Sequence, residues 1–247
     1  MLGLLAFLLF LLASFPALAA DDYVVLLHGI ARTSSTMDKL QERLKKEGYS
    51  VLNIDYESRE YTIEVLAEKM HEAVTSFVTD KDKKVHFVGY SMGGLVTRAY
   101  LGKHRPENLG RVLFLGTPNQ GSEVADFLKD VSLYQAFYGP AGQQLTTGQN
   151  FERLFGEADY ETGVIAGTQS IDPISALLIL PPGNDGKVSV ASTHIKGEKD
   201  HIEVETTHTF MPVNDTVIRQ AVYFLEHGKF SREAQAGPAS NFHNYNN

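Results

Sequence analysis

Val85-His86-Phe87-Val88-Gly89-Tyr90-Ser91-Met92-Gly93-Gly94 is the stretch on which the reading of this chain turns. Val85 to Gly89 is apolar enough for a strand buried on both faces, and Met92 to Lys103 has the composition of a helix. Between them stands Gly-x-Ser-x-Gly. As a bare string the pattern is weak. Placed between a strand and a helix it predicts a sharp turn that strains Ser91 and lifts its hydroxyl clear, with glycines two before and two after to prevent collision. The plainer reading of the same residues is a glycine-rich strand-to-helix turn without chemistry.

Outward from this turn, short runs rich in Val, Ile and Leu alternate with longer amphipathic stretches, the rhythm of parallel strands joined by crossover helices. Strands are predicted at Tyr23 to Leu27, Ser50 to Asp55, Val85 to Gly89, Arg111 to Leu115, Gly163 to Ala166 and Ile202 to Glu205. Helices are predicted from Ser35 to Glu47, ended by Gly48, from Tyr61 to Val78, and from Met92 to Lys103. Pro212 suits the first turn of a closing helix that carries Val217, Ile218, Ala221, Val222 and Leu225. The fold class expected is α/β, a mostly parallel central sheet with helices on both faces. The stretch 119–159 holds no strand and many aromatics, among them Phe127, Tyr134, Phe137 and Tyr138. Either it is a crossover helix with a long loop, or it is a helical cap over a site.

Met1 to Ala20 has no charged side chain, runs apolar from Leu2 to Phe15 and closes on Ala17-Leu18-Ala19. It reads as a cleaved export signal (1–20), with an uncleaved membrane anchor as the alternative. Residues 21–230 then form one domain, and the polar, aperiodic tail 231–247 is expected to be disordered. With 43% hydrophobic and 21% charged residues the composition is that of a globular protein. A formal net charge of -8 argues against a nucleic-acid partner, because phosphate binding needs clustered Lys and Arg. There is no cysteine, so disulfides, thiol nucleophiles, cysteine metal sites and a lipidated cysteine are excluded.

A serine hydroxyl needs a base to take its proton. In a parallel sheet reactive groups gather at the carboxyl ends of the strands. His208 follows the last predicted strand and His201 precedes it, so His208 is the expected base; His194, after the run Val188 to Val190, is the runner-up. The base needs a carboxylate to hold its tautomer. Asp185, in Pro182-Gly183-Asn184-Asp185-Gly186, lies in a loop between the last two strands, and Asp172 competes with it. As plain structure, Asn-Asp-Gly is also a good turn. An oxyanion would need backbone donors: the N–H of Met92, at a helix N-terminus, and that of Ile30, after His28-Gly29.

The pieces His28-Gly29-Ile30, Gly89-Tyr90-Ser91-Met92-Gly93-Gly94, Gly116-Thr117-Pro118 with Gly121-Ser122, Asn184-Asp185-Gly186-Lys187-Val188 and His208-Thr209-Phe210 resemble the bacterial lipase/esterase branch of the α/β-hydrolase superfamily. The likeness covers Tyr23 to Gly228, and the chain order Ser, Asp, His is that of α/β-hydrolases. The resemblance implies a triad of Ser91, Asp185 and His208 and an oxyanion hole from the N–H groups of Ile30 and Met92. The expected function is cleavage of carboxylic esters through an acyl-enzyme, with no cofactor and no metal. The expected partner is a small-molecule ester or lipid, with transient contact to a lipid surface. Thioesterase, amidase and acyltransferase chemistry fit the same residues, and a catalytically silent binding or chaperone module is the reading from another class. Some larger relatives carry a disulfide and a structural calcium; the first cannot form here, and no convincing calcium cluster is visible.

Overall fold

The computed structural model describes residues 21–171 and 179–232. The export signal 1–20, the competing acid Asp172 and the tail from 233 onward lie outside the described residues. Six strands form one sheet: β1 (Tyr23–Leu27), β2 (Ser50–Ile54), β3 (Val85–Tyr90), β4 (Leu109–Leu115), β5 (Thr162–Gly167) and β6 (Asp200–Val204). Their order is β2-β1-β3-β4-β5-β6, and every pairing is parallel.

Alternation along the strands divides the core into two layers. Tyr23, Val25, Leu27, Val85, Phe87, Val112 and Phe114 face one side. There they meet α2 (Ile63–Lys69), α3 (His71–Phe77), α4 (Met92–His104) and α7 (Phe151–Phe155). Val24, Leu26, Val88, Tyr90, Leu113 and Leu115 face the other side, against α1 (Asp38–Lys46) and α9 (Asp215–His227). Both layers are buried along β1 and β3 and from Val112 to Leu115 of β4, which is why these segments read as largely apolar runs.

Several boundaries differ from the sequence expectation. Ser34–Met37 forms a 3-10 turn and α1 starts only at Asp38; the Thr33 hydroxyl bonds the Ser35 hydroxyl at 2.8 Å, the local competition that small polar residues bring to a helix start. The predicted helix Tyr61 to Val78 is two segments that meet at Met70, whose ψ of -12° loosens the path although Val74 N–H still bonds the Met70 carbonyl at 3.0 Å. Pro212 lies in a 3-10 turn (Met211–Val213) and not in the closing helix. That helix begins after Asn214, whose side chain accepts from Thr216 N–H at 2.8 Å and Val217 N–H at 3.2 Å, as a good N-cap does. Ser189, in the run before His194, caps the single turn α8 (Val190–Thr193).

Between β4 and β5 the chain forms α5 (Glu123–Leu128), α6 (Ser132–Gln143) and α7, with no strand. α6 is kinked at Gly139 (φ 61°, ψ -159°) just before Pro140, which has no N–H to continue the ladder. No helix among the described residues is long and apolar enough to cross a membrane.

Candidate active site

β3 runs straight into the predicted turn. Ser91 has φ 55° and ψ -128°, a conformation costly for any residue with a Cβ, and α4 begins at the next residue. The strain is held from both sides: Ser91 N–H bonds the Leu115 carbonyl at 2.8 Å, and Gly94 N–H bonds the Ser91 carbonyl at 3.0 Å. Gly93 is needed for close approach, since a Cβ there would stand 2.4 Å from the Leu27 carbonyl oxygen and 2.5 Å from that of His28. α4 therefore packs its first turn directly against the end of β1.

His208 stands four residues beyond the end of β6, at the same rim of the sheet. Its Nε2 is 2.9 Å from Ser91 Oγ and its Nδ1 is 2.7 Å from Asp185 Oδ2. An acceptor-only carboxylate at Nδ1 places the ring proton there and leaves Nε2 free to accept from the serine hydroxyl. The His208 backbone N–H bonds the Asp185 carbonyl at 2.9 Å, so main chain and side chain lock the two residues together. Asp185 is buried, at 2% exposure, where an unpartnered charge would be costly. Its Oδ1 accepts from Lys187 N–H at 2.9 Å and Val188 N–H at 2.8 Å, so both carboxylate oxygens are occupied by donors.

The remaining candidates sort by position. His194 pairs with Glu198 at 2.6 Å and stacks on His201 at 4.0 Å; His201 lies inside β6 near its start, with its Nε2 3.0 Å from the Thr193 hydroxyl. Neither lines the cavity that holds Ser91. Ile30 does line it, together with Gly29, and Met92 is the first residue of α4. No hydrogen bond to another protein group engages the N–H of Ile30 or Met92 among the described residues.

Three residues matter to this geometry in ways the sequence does not announce. Tyr90 donates from its hydroxyl to the His208 carbonyl at 2.8 Å, and burial raises its pKa, so it stays a donor. Strand parity was the available clue, because Tyr90 shares the face of Val88 and points away from the Gly89 side. His28 is fully buried. Its Nδ1 meets the Gly29 carbonyl at 2.8 Å and its Nε2 accepts from Tyr56 N–H at 3.3 Å, while the Tyr56 ring stacks at 4.1 Å and its hydroxyl bonds the His28 carbonyl. Burial lowers the His28 pKa and keeps the ring neutral in that tautomer, which props the Gly29-Ile30 turn. Gly167, at the end of β5, leaves room for Asp185: a Cβ there would lie 2.7 Å from Asp185 Cβ and 2.7 Å from the Thr206 carbonyl.

Ser91 and His208 open into a cavity of about 290 Å³ whose apolar wall includes Val124, Leu128, Tyr134, Phe137, Leu145 and Val188. Five of these six come from the strandless stretch 119–159. A larger groove of about 1160 Å³ lies at the opposite rim, around Asp22, Tyr49, Lys84 and Glu161, at the amino ends of the strands and remote from Ser91. Among the described residues no three His, Asp or Glu are grouped to hold a metal ion.

The chain is 31% identical over 159 residues to a triacylglycerol lipase of Burkholderia plantarii, an alignment covering 58% of this chain and 43% of the lipase. It is 30% identical over 158 residues to the lysosomal thioesterase PPT2 of Homo sapiens, covering 58% of this chain and 52% of that protein. The chain thus spans about half or less of the length of these relatives. Among solved structures, the mature Bacillus licheniformis lipase BlEst2 superposes with a TM-score of 0.69 at 21% identity, over 86% of this chain and 94% of the lipase. An esterase from Exiguobacterium antarcticum superposes with a TM-score of 0.61 at 16% identity, over 84% and 92% of the two chains. At such identities the likeness is one of fold, and the fold is that of the α/β-hydrolases. The sequence model of the palmitoyl protein thioesterase family matches residues 23–162, more than half of the chain, and on that match the protein belongs to this family.

Proposed function

We propose that the protein is a serine hydrolase that cleaves carboxylic esters of lipid or medium-chain acyl groups. Ser91 Oγ attacks the acyl carbonyl while His208 Nε2 takes its proton, and Asp185 steadies the imidazolium that forms. The N–H groups of Ile30 and Met92 receive the negative charge that develops on the carbonyl oxygen; that of Met92 adds the dipole of a 13-residue helix. His208 then protonates the departing alcohol, and water enters to release the acid from Ser91 by the reverse sequence. The observation that carries the reading is the continuous relay Ser91 Oγ, His208, Asp185 Oδ2, at 2.9 and 2.7 Å.

The apolar wall of the cavity favours an acyl chain as the occupant, with the stretch 119–159 as its cap. Phe127, Leu133 and Phe137 in that stretch and Phe210 beside His208 are solvent-exposed, which supports transient contact with a lipid surface. Thioester cleavage is the second reading, on the same atoms, favoured by the match to the thioesterase family. Export, with 1–20 removed, is part of the proposal.

The experiment is labelling with a fluorophosphonate probe alongside a chain-length series of esters and thioesters. The protein is expected to label at Ser91 and turn over one series or both; Ser91→Ala is expected to lose labelling and at least about three orders of magnitude in turnover while keeping its thermal transition. A folded Ser91→Ala protein with most of its activity refutes the assignment.

A further inference from the structure

Asp185 stands near the tip of a tight loop. Asn184 and Ser189 bridge its base, Val190 N–H bonds the Gly183 carbonyl at 2.8 Å, and Asp185 N–H bonds the Val188 carbonyl at 3.2 Å. Within the loop the N–H groups of Lys187 and Val188 bond Asp185 Oδ1 at 2.9 and 2.8 Å. The carboxylate therefore points where this loop puts it, and whatever grips the loop from outside aims the carboxylate.

The grip comes from the start of α5, in the strandless stretch between β4 and β5. The Ser122 hydroxyl donates to the Lys187 carbonyl at 3.1 Å. Glu123, the first residue of α5, accepts with Oε1 from the Ser189 hydroxyl at 2.8 Å and from the Ser192 hydroxyl at 3.0 Å. Ser189 Oγ itself accepts from Ser192 N–H at 3.1 Å, which leaves its one proton for Glu123. Both serines are buried, and so is Glu123 Oε2, which has no hydrogen-bond partner. Among the described residues no cation pairs with Glu123, so its carboxylate is committed to the two serines. Hydrogen bonds to an ionised acceptor are the stronger kind, and leaving a buried carboxylate oxygen without a donor is costly. Val124 and Val188, the chain neighbours of Glu123 and Ser189, line the cavity around Ser91; Glu123, Ser189 and Ser192 do not.

We propose that Glu123 is a positioning residue for ester cleavage, gripping Ser189 and Ser192 and so holding the loop that aims Asp185 at His208. The inference rests on the hydrolase reading and adds no step to it. Glu123 acts through Asp185 and forms no part of the cavity wall, so its loss falls on kcat and leaves KM in place. A role confined to fastening α5 to α8 would lower the thermal transition and leave the kcat of the folded protein alone.

The test compares Glu123→Ala, Glu123→Gln and Ser192→Ala with the unaltered protein, in steady-state hydrolysis of one chromogenic ester and in amide hydrogen exchange. Glu123→Ala is expected to lose about 10- to 50-fold in kcat with KM within about twofold. In that variant the Lys187 and Val188 amides are expected to exchange about tenfold faster while those of β3 keep their rates. Glu123→Gln keeps an oxygen for both hydroxyls and is expected to recover kcat to within about threefold. Ser192→Ala removes one donor and is expected to cost about 2- to 5-fold in kcat, and the further loss on adding Glu123→Ala to it should be smaller than in the unaltered protein. A folded Glu123→Ala protein with unaltered kcat, a loss confined to KM, or a glutamine variant as slow as the alanine one overturns the proposal. Should Glu123→Ala fail to fold, an unaltered kcat in Ser192→Ala does the same. Hydrogen exchange separates this idea from the hydrolase reading. If the unaltered protein turns over no ester, that reading fails, yet faster exchange at Lys187 and Val188 in Glu123→Ala still supports the grip on the Asp185 loop, and unchanged exchange overturns it.

Discussion

Tyr90 and His208 are joined by a contact separate from the hydrogen bonds of the His208 ring to Ser91 and Asp185: the Tyr90 hydroxyl donates to the His208 main-chain carbonyl at 2.8 Å, and the two rings lie 5.2 Å apart. The residue before the serine thus holds the loop that carries His208. Tyr90→Phe keeps the ring and removes this bond, worth about 1 kcal/mol. The expected outcome is a kcat lower by about 3- to 10-fold with KM nearly unchanged, since the loss falls on alignment of the imidazole and not on the cavity wall. A wild-type kcat in steady-state ester hydrolysis would show that the bond does not position His208.

Asp185→Asn replaces an acceptor-only group by one that can offer an N–H to His208 Nδ1. The ring is then free to carry its proton on Nε2, where it cannot accept from Ser91. We expect turnover to fall by about four orders of magnitude with little change in fold, because Lys187 and Val188 N–H retain an oxygen to bond. Activity and far-ultraviolet circular dichroism measured together check both halves of this expectation.

Gly167→Ala acts at a distance. Its new Cβ would meet Asp185 Cβ and the Thr206 carbonyl, each at 2.7 Å, so the acid or the end of β6 must shift. Gly167 touches no part of the cavity, yet kcat is expected to drop by about 10-fold or more and stability by about 1–3 kcal/mol. Chemical denaturation with parallel ester assays reads both; a variant unchanged in each would show that the loop holding Asp185 yields at no cost.

Acid lability is expected from His86, on β3. Burial pushes its pKa down to about 4, although Asp22 nearby favours the charged ring, and its Nδ1 accepts from Arg111 N–H at 2.8 Å. In the unfolded chain the ring takes a proton near its ordinary value of about 6.5. Between these two values the unfolded state binds more protons, so stability falls as pH drops from about 6.5 toward 4 and is regained as pH rises. The full effect is on the order of 3 kcal/mol. His86→Asn can still accept from Arg111 but does not titrate, so its denaturation midpoint should vary less over that window; an identical pH dependence would place the acid sensitivity elsewhere.

Much of this architecture was legible before any coordinates. Strands buried on both faces must be apolar throughout, so β1, β3 and β4 stand out, and a glycine-flanked serine between strand and helix has few other uses. The rule that parallel strands gather reactive groups at one rim pointed to His208, although His201, expected to precede the last strand, lies inside β6. Local competition among neighbouring residues was less visible. Asn214 displaced Pro212 as the helix start, and the polar residues before Asp38 wound a 3-10 turn, because caps and turns are decided by margins of about 1 kcal/mol that a periodic pattern does not resolve.

What the sequence by itself determined is therefore the set of short-range facts: the alternation of strands and helices, the strained serine, the absence of cysteine chemistry and the residue types available for proton transfer. Only the tertiary structure decided which distant groups share space. It brought Asp185 to 2.7 Å from His208 across a loop from another strand and hung Tyr90 on the His208 carbonyl. The physical reason is that hydrogen bonds act over about 3 Å and their geometry depends on where whole strands end, information spread over the entire packed sheet and carried by no single segment.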